Sequence, residues 1–478
     1  MFDWDALGVD PHAVHGTVAS DGGYVAVGSG LEGEEGDNGT PDSFIVKTKG
    51  GCSAADIAED SLYPELTDGG SGCGGYDWIT KYGASGKVDR ALWVAESPDG
   101  SYFIVAGITE ASGGKSDMNI AKIAATDGEI IWEMNHEAES GAETVAFTSD
   151  GGFIIGGYLD NEADIIEHNF KSGGQIDGEN AKPFIAKVSA ADAAGSSAPS
   201  SFEWTYTCSD AENYGSAKAI RVDSSDNVFA VIGHGAVVKL NDAGEEVWKT
   251  DEYEQTQIND VELASDGVVA VGHTYERANG GCWFTGCGII KGSMIKFDDE
   301  GQEEWSENYG NYPGGVSQFR EIEEGNWSLV YNECWGVAPK YADDGTTHDG
   351  YVMSCGTGIE GCNLLLGPFV WLECIGDPRG TWRALTVATD LEGERIYSRM
   401  DSYGVGMFDG EKVAASAGEY VFINADGGHV IVTDEGMGMG FLTIAPYTEE
   451  VCENPFGGNQ ASALTVTLSL ALTLFAFY

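Results

Sequence analysis

Short apolar runs recur along this chain, and a small polar turn introduces each one. Ser20-Asp-Gly-Gly-Tyr-Val-Ala-Val-Gly28 is the first strong unit. It returns as Pro98-Asp-Gly-Ser-Tyr-Phe-Ile-Val-Ala-Gly107, Ser149-Asp-Gly-Gly-Phe-Ile-Ile-Gly-Gly157, Ser225-Asp-Asn-Val-Phe-Ala-Val-Ile-Gly233 and Ser265-Asp-Gly-Val-Val-Ala-Val-Gly272. Weaker copies are Glu324-Gly-Asn-Trp-Ser-Leu-Val-Tyr331, Glu392-Gly-Glu-Arg-Ile-Tyr397 and Asp426-Gly-Gly-His-Val-Ile-Val432. An Asp-Gly turn followed by an alternating or wholly apolar run is the sequence form of a β-hairpin.

A second pattern follows the hairpins. An apolar segment ending in Lys occurs as Phe44-Ile-Val-Lys47, Asn119-Ile-Ala-Lys122, Phe184-Ile-Ala-Lys187, Ala236-Val-Val-Lys239 and Ser293-Met-Ile-Lys296, with Ala338-Pro-Lys340 as a sixth copy. Then comes Gly-x-x-x-Trp, as Gly128/Trp132, Gly244/Trp248, Gly301/Trp305 and Gly74/Trp78, while Trp204 and Trp371 follow longer insertions. Tyr82-Gly83 and Tyr309-Gly310 end two of the units. One unit therefore holds four short strands, and repetition of such a unit predicts an all-β propeller. The eight turns between residues 21 and 427 predict about eight blades, or seven if residues 384–413 are an insertion. The unit at 418–445 lacks a Trp strand, and the chain opens with an orphan one, Phe2-Asp-Trp4. Pairing of Phe2–Leu7 with that last unit closes the ring. The Lys is expected on a wet strand face and the Trp between blades.

These repeats resemble those of secreted or surface β-propeller proteins of the quinoprotein-like and WD-like kinds, over about residues 2–445. The resemblance implies architecture and a binding scaffold, with no specific functional family.

The ends add an expected organisation: a propeller over 1–447, a linker over 448–463 and a hydrophobic tail over 464–478. The tail, Leu464–Tyr478, follows small residues that include Gly457 and Gly458, the order of a lipid-anchor signal. A membrane-spanning anchor is the alternative. No signal peptide is visible at Met1-Phe-Asp-Trp-Asp5, so the expected start lies upstream. Ten cysteines, none in a Cys-x-x-Cys pair, suit disulfides in an oxidising compartment. The expected pairs are Cys52 with Cys73, Cys282 with Cys287, Cys355 with Cys362 and Cys334 with Cys374. Cys208 and Cys452 are left over. Asn38 and Asn326 head glycosylation triplets. The address that follows is extracellular or cell-surface, with the membrane met only through the tail.

Charge narrows the partners. With 78 Asp+Glu against 24 Lys+Arg the formal charge is −54, which repels nucleic acid. Such a surface suits a saline or cation-rich medium. Motifs for chemistry are sparse. There is no Gly-x-Ser-x-Gly, Gly114-Lys115-Ser116 has Thr109 where a phosphate loop needs Gly, and His136-Glu137 lacks a second His. His234 and His273 follow the strand-ending glycines of neighbouring repeats and could converge on a ligand. His12 and His15 form a weaker pair. Glu32, Glu34, Glu35 and Asp37, with the turn Asp298-Asp-Glu300, are the carboxylate loops suited to calcium, the one cofactor considered.

Three readings follow. The first is a non-enzymatic surface propeller that binds a protein or glycan partner through Gly-rich, disulfide-stapled loops, built from insertions at 48–75, 159–182, 274–292 and 342–370. The second is a carbohydrate-active enzyme. No sialidase-like Asp box is present. A central cluster of carboxylates with an arginine would favour this reading, with Arg221, Arg320 and Arg383 as the arginines to find near the axis. The third is a calcium-binding structural or cell-wall protein.

Overall fold

Each repeat folds as an antiparallel meander, because the Asp-Gly turns reverse the chain and the apolar runs between them have nowhere dry to go except between neighbouring sheets. The computed structural model describes residues 9–444 apart from 32–40, 51–75, 84–85, 112–114, 137–138, 160–180, 209–214, 234, 252, 254–255, 278–287, 310–319, 324–325, 329–330, 343–344, 359–362, 366–370, 374–382, 402–416, 425–426 and 434–439.

Seven blades are present. Blade 1 is β1 (Val9–Val18), β2 (Tyr24–Leu31), β3 (Pro41–Thr48) and β4 (Tyr76–Tyr82). Blade 2 is β5 (Asp89–Glu96), β6 (Tyr102–Glu110), β7 (Ser116–Ala124) and β8 (Ile130–His136). Blade 3 is β9 (Gly141–Phe147), β10 (Phe153–Leu159), β11 (Lys182–Val188) and β12 (Trp204–Thr207), with helix α1 (Ala190–Ala194) before its last strand. Blade 4 is β13 (Ala217–Val222), β14 (Val228–Ile232), β15 (Ala236–Leu240) and β16 (Glu246–Lys249). Blade 5 is β17 (Thr256–Ala264), β18 (Gly267–Arg277), β19 (Gly288–Asp298) and β20 (Glu303–Tyr309). A small hairpin of β21 (Arg320–Glu323) and β22 (Asn326–Ser328) precedes blade 6. Blade 6 is β23 (Tyr331–Tyr341), β24 (His348–Gly358), β27 (Arg383–Thr389) and β28 (Arg395–Asp401), interrupted by a hairpin of β25 (Asn363–Leu365) and β26 (Trp371–Glu373). Blade 7 is β29 (Gly418–Ile423), β30 (His429–Thr433) and β31 (Gly440–Ile444). Phe2–Leu7, the expected fourth strand, lies outside the described residues.

The first strands touch in cyclic order, β1 to β5, β9, β13, β17, β23, β29 and back to β1. The ring is therefore closed around an axis. Of the two expected counts, the alternative of seven holds and eight does not, for a local reason. Asn326–Ser328 of the first weak copy form β22 of the small hairpin, and Gly393 lies in the turn between the third and fourth strands of blade 6. The turn that opens blade 6 is at 342–347 instead. Residues 384–401 are therefore blade 6 strands and not an insertion, and Lys340 sits on the first strand β23 rather than a third strand.

The core lies between blades. One buried cluster joins Phe103 and Val105 to Val25 and Ile45, and another joins Tyr24, Phe44 and Val46 to Phe422 and Val430 across the ring closure. Second strands such as β14 are buried on both faces. The Gly-x-x-x-Trp repeat locks neighbouring blades. A Cβ on Gly128, Gly244, Gly301 or Gly393 would sit 2.5–2.7 Å from Trp78, Trp204, Trp248 or Trp305 of the preceding blade. These glycines also have positive φ, so both sterics and backbone demand Gly. The indole N–H of Trp78, Trp204 and Trp248 donates to the carbonyl of Ala125, Asp242 and Asp299 in the next blade's turn. The repeated Lys is not on a wet face. Lys47, Lys187 and Lys296 are buried, and pair with Asp21, Asp150 and Asp266, the acidic residues of the same blade's first turn.

Candidate functional site at the propeller axis

Every first strand carries a β-bulge at an equivalent point. The register skips Val14, Leu92, Glu143, Lys218, Asn259, Trp335 and Glu419 in blades 1 to 7. A bulge leaves one residue outside the ladder and re-aims its side chain. All seven residues line one axial cavity of about 50 Å³, together with Trp93 and Tyr420. The local cause is the glycine that ends the repeat's apolar run. A Cβ on Gly28, Gly107, Gly157 or Gly272 would lie 1.8–2.2 Å from the carbonyl oxygen of His12, Arg90, Gly141 or Gln257 on the bulged strand. Only glycine allows that approach. In blade 6 the same register position is Cys355, disulfide-bonded to Cys334 beside Trp335.

The ring is chemically uneven. Glu143 is 4% exposed. Ser216 Oγ donates to its Oε2 at 2.7 Å, while its Oε1 has no hydrogen-bond partner. Burial pushes this carboxyl up to about 8, against the Ser216 bond and the charge of Lys218. Asn259 is held at both ends: its Nδ2 donates to the Cys334 carbonyl at 2.8 Å, and Gln257 Nε2 donates to its Oδ1 at 3.1 Å.

One step further along the first strands, a plug closes the axis toward the Asp-Gly turns. His15 stacks on Trp93 at 3.8 Å and lies 3.9 Å from the Tyr420 ring. The Val94 N–H donates to His15 Nδ1 at 3.3 Å. Arg221 Nη2 donates to Asp260 Oδ2 at 3.2 Å and to the Tyr420 hydroxyl at 2.9 Å, and its Nε donates to Glu262 Oε2 at 3.0 Å. The Val337 N–H donates to Asp260 Oδ2 at 2.9 Å. Burial, then the charge of Arg221, holds His15 well below the usual histidine range, so it is neutral. Burial pushes Asp260 up to about 6, against Arg221.

The sequence-derived candidates scatter. His273 lies on β18 behind the ring, with Nδ1 3.4 Å from Asn259 Nδ2 and its ring edge-on to Trp335 at 5.3 Å. Burial, then Lys218, brings it down to about 3, which makes it a neutral support. His234, Glu32, Glu34, Glu35, Asp37, Asn38, Gly457 and Gly458 lie outside the described residues. Asn326 begins β22. Asp298 Oδ1 accepts from the N–H groups of Glu300 and Gln302, so it caps its own turn. Among the described residues no group of three or more His, Cys, Asp or Glu could hold a metal ion. The expected pairs Cys334–Cys374 and Cys355–Cys362 are corrected: Cys334 bonds Cys355 because the first two strands of blade 6 set them directly opposite. Cys208 is a buried free thiol. Cys52, Cys73, Cys282, Cys287, Cys362, Cys374 and Cys452 lie outside the described residues. Of the three arginines that would favour an enzyme if near the axis, Arg221 lies in the axial plug, whereas Arg320 and Arg383 begin β21 and β27.

Sequence reasoning missed most of this site. The first strands share no motif, so Glu143, Lys218, Trp335 and Glu419 carry no repeat signature. The one available signal was the glycine ending each hairpin, which faces the bulge.

No protein-family model and no curated protein matches the sequence. Among solved structures the chain is similar to BamB from Moraxella catarrhalis, at 9% identity and TM-score 0.37, over 91% of this chain and 98% of that one. It is also similar to the Pan2 WD40 domain of Neurospora crassa, at 10% identity and TM-score 0.45, over 94% and 92%. The C-terminal WD40 domain of Sif2 gives 9% and 0.43, over 92% and 97%. These likenesses concern the fold, whose blade count rests on the sheets themselves.

Proposed function

We propose that this protein is a non-enzymatic binding propeller that takes a protein partner or glycan on the end carrying its long connections, with the axial cavity at the centre of that end. The observation that carries the reading is the sorting of connections. Strand direction alternates within a blade, so second-to-third and fourth-to-first connections leave from one end. Those at 32–40, 160–181, 278–287, 310–330, 359–382 and 402–417 all belong to it. The opposite end holds the Asp-Gly turns. Of the four insertions expected to share a surface, 49–75 leaves from that end, and 342–370 is corrected: its first residues, 342–347, are the first-to-second turn of blade 6 at that same end, and 348–358 is strand β24. Long connections on a rigid scaffold are where recognition is usually built. A cell-surface setting, with the tail after residue 464 as tether and disulfides within the loops, is part of the proposal. Phospholipase release and a mature mass ending before residue 464 would test it.

The rival reading, a carbohydrate-active enzyme, draws on Arg221 with Asp260 and Glu262 at the axis, and on Glu143 and Glu419 in one cavity. That is the kind of cluster the sequence made the mark of an enzyme. Two facts favour binding. Arg221 is committed to three side chains and the Ile220 carbonyl. The cavity, about 50 Å³, is far below the ~300–1,000 Å³ of ordinary small-molecule clefts. Calcium crosslinking is the third reading, and calcium-dependent melting would support it.

The test uses arrays of purified extracellular domains and glycans. Replacing 160–181 and 359–382 by short Gly-Ser links should abolish the strongest signal and leave the β-sheet spectrum intact, while shortening 49–75 should not. Retained binding in the first variant overturns the reading. Hydrolysis of chromogenic glycosides that disappears in Glu143→Gln would establish the rival.

A further inference from the structure

We infer that the axial cavity seats one organic ammonium head, held by the Glu143 carboxylate and boxed by Trp93, Trp335 and Tyr420. The inference rests on the reading of the long-loop end as the binding end, and names the chemistry at its centre. Four observations carry it. Glu143 is 4% exposed and lines the cavity, yet its Oε1 meets no donor. A buried carboxylate oxygen left unsatisfied calls for a donor. Asn259 does not supply it, since its amide donates to the Cys334 carbonyl and lies 3.4 Å from His273 Nδ1 on its other side. Two indoles and a phenol line the same space, and aromatic faces attract cations as well as excluding water.

Charge and size point the same way. Around the ring and its floor stand Glu143, Glu419, Asp260 and Glu262 against Lys218 and Arg221. Arg221 is neutralised by Asp260 and Glu262, and Lys218 lies between the carboxylate of Glu143 and the neutral Asn259, so an anion would meet Glu143 and Glu419 as well. A chain of formal charge −54 further raises the local concentration of cations. About 50 Å³ admits an ammonium or methylated ammonium but no sugar ring. A metal ion is the poorer fit, because no trio of ligating side chains is present among the described residues. The head could belong to a free amine or to a lysine projecting from a bound protein, and the chemistry is shared.

The experiment is calorimetric titration of the whole protein with methylammonium, trimethylammonium and N-acetyl-lysine methylamide, with acetate and a neutral alcohol of matched size as controls. The groups facing Glu143 are Ser216 and Lys218, with Asn259 and Glu419 across the ring, His273 behind it and His15, Arg221, Asp260 and Glu262 below. The head meets the Glu143 carboxyl, which burial pushes up to about 8, so cation affinity should rise roughly thirtyfold between pH 6.5 and 9 as that group ionises. Glu143→Gln should weaken binding at least tenfold and flatten that rise. Trp335→Leu should weaken it several-fold with the rise intact. If Glu143→Gln does not fold, the pH profile of the unaltered protein and Trp335→Leu carry the test. Equal binding of the neutral alcohol, preference for acetate, or no heat with any cation overturns the inference. Equal affinity for methylammonium and the lysine analogue marks a free amine as ligand, and a tenfold gain for the lysine analogue marks a side chain; both uphold the seat. Partner binding by the loops, measured on arrays, can persist when this seat fails, so the two readings fail separately.

Discussion

The rim and the axis of this propeller follow opposite rules. At the rim, the same two residues recur: Trp78, Trp204, Trp248 and Trp305 lean on Gly128, Gly244, Gly301 and Gly393 of the next blade. At the axis, one backbone feature recurs but its residue never settles: the bulges present Val, Leu, Glu, Lys, Asn, Trp and Glu in turn. A contact that only joins blades can be copied, since every interface poses the same packing problem. A ring that meets a ligand cannot, because a single ligand is not sevenfold symmetric. Repetition therefore marks architecture here, and its loss at a repeated backbone position marks the candidate site.

The strongest way to break this comparison is to strip the axial floor. Arg221→Met leaves Asp260 buried and uncompensated, and should cost about 3–5 kcal/mol in urea unfolding. A cost under about 1 kcal/mol would mean that the plug is not structural and would reopen a catalytic role for Arg221.

Acid should come next. Burial first, with nearby cations adding, holds His15, His273 and His429 below their ordinary value, His429 at about 4. The unfolded chain takes protons on these residues below pH 6.5 while the folded chain does not, so stability falls as pH falls. Each contributes a slope of about 1.4 kcal/mol per pH unit. For His429 the window is pH 6.5 to 4, and His429→Gln should remove its share. Glu143 works in the opposite sense: raised to about 8, it stabilises below its unfolded value and that contribution is lost as pH rises from 4.5 to 8. Thermal melts across pH should therefore decline on both sides, and Glu143→Gln should flatten the alkaline limb.

At the rim the expected effects are smaller. Gly301→Ala places a methyl 2.7 Å from Trp248 on a backbone of φ +79, and should cost about 1–3 kcal/mol. Combined with Gly128→Ala, three blades away, the losses should add. Coupling above about 0.5 kcal/mol would show that the rim acts as one belt. Smallest of all should be Lys187→Met. Its partner Asp150 is 46% exposed, and such pairs contribute under about 1 kcal/mol.

The rim was legible in the sequence because its determinants are local and repeated. Gly-x-x-x-Trp puts both halves of the lock four residues apart, one for each neighbour. The Asp of each turn and the Lys of the third strand were both visible, but that they meet was not, since the pairing needs the second strand between them. The count of eight failed, and its alternative of seven held, because the repeat copies around Asn326 and Gly393 imitate the first turn of a blade in sequence. Cys334 and Cys355 were both on view, yet nearness in sequence favoured the wrong partners.

By itself the sequence determined the repeat, the four-strand unit, the interblade tryptophans and a formal charge of −54. Tertiary structure alone decided the blade count, the disulfide partner of Cys334 and the axial site. The reason is range. Turn and strand preferences act within a few residues, whereas Glu143, Lys218, Asn259, Trp335 and Glu419 come from five blades and meet only when the ring closes.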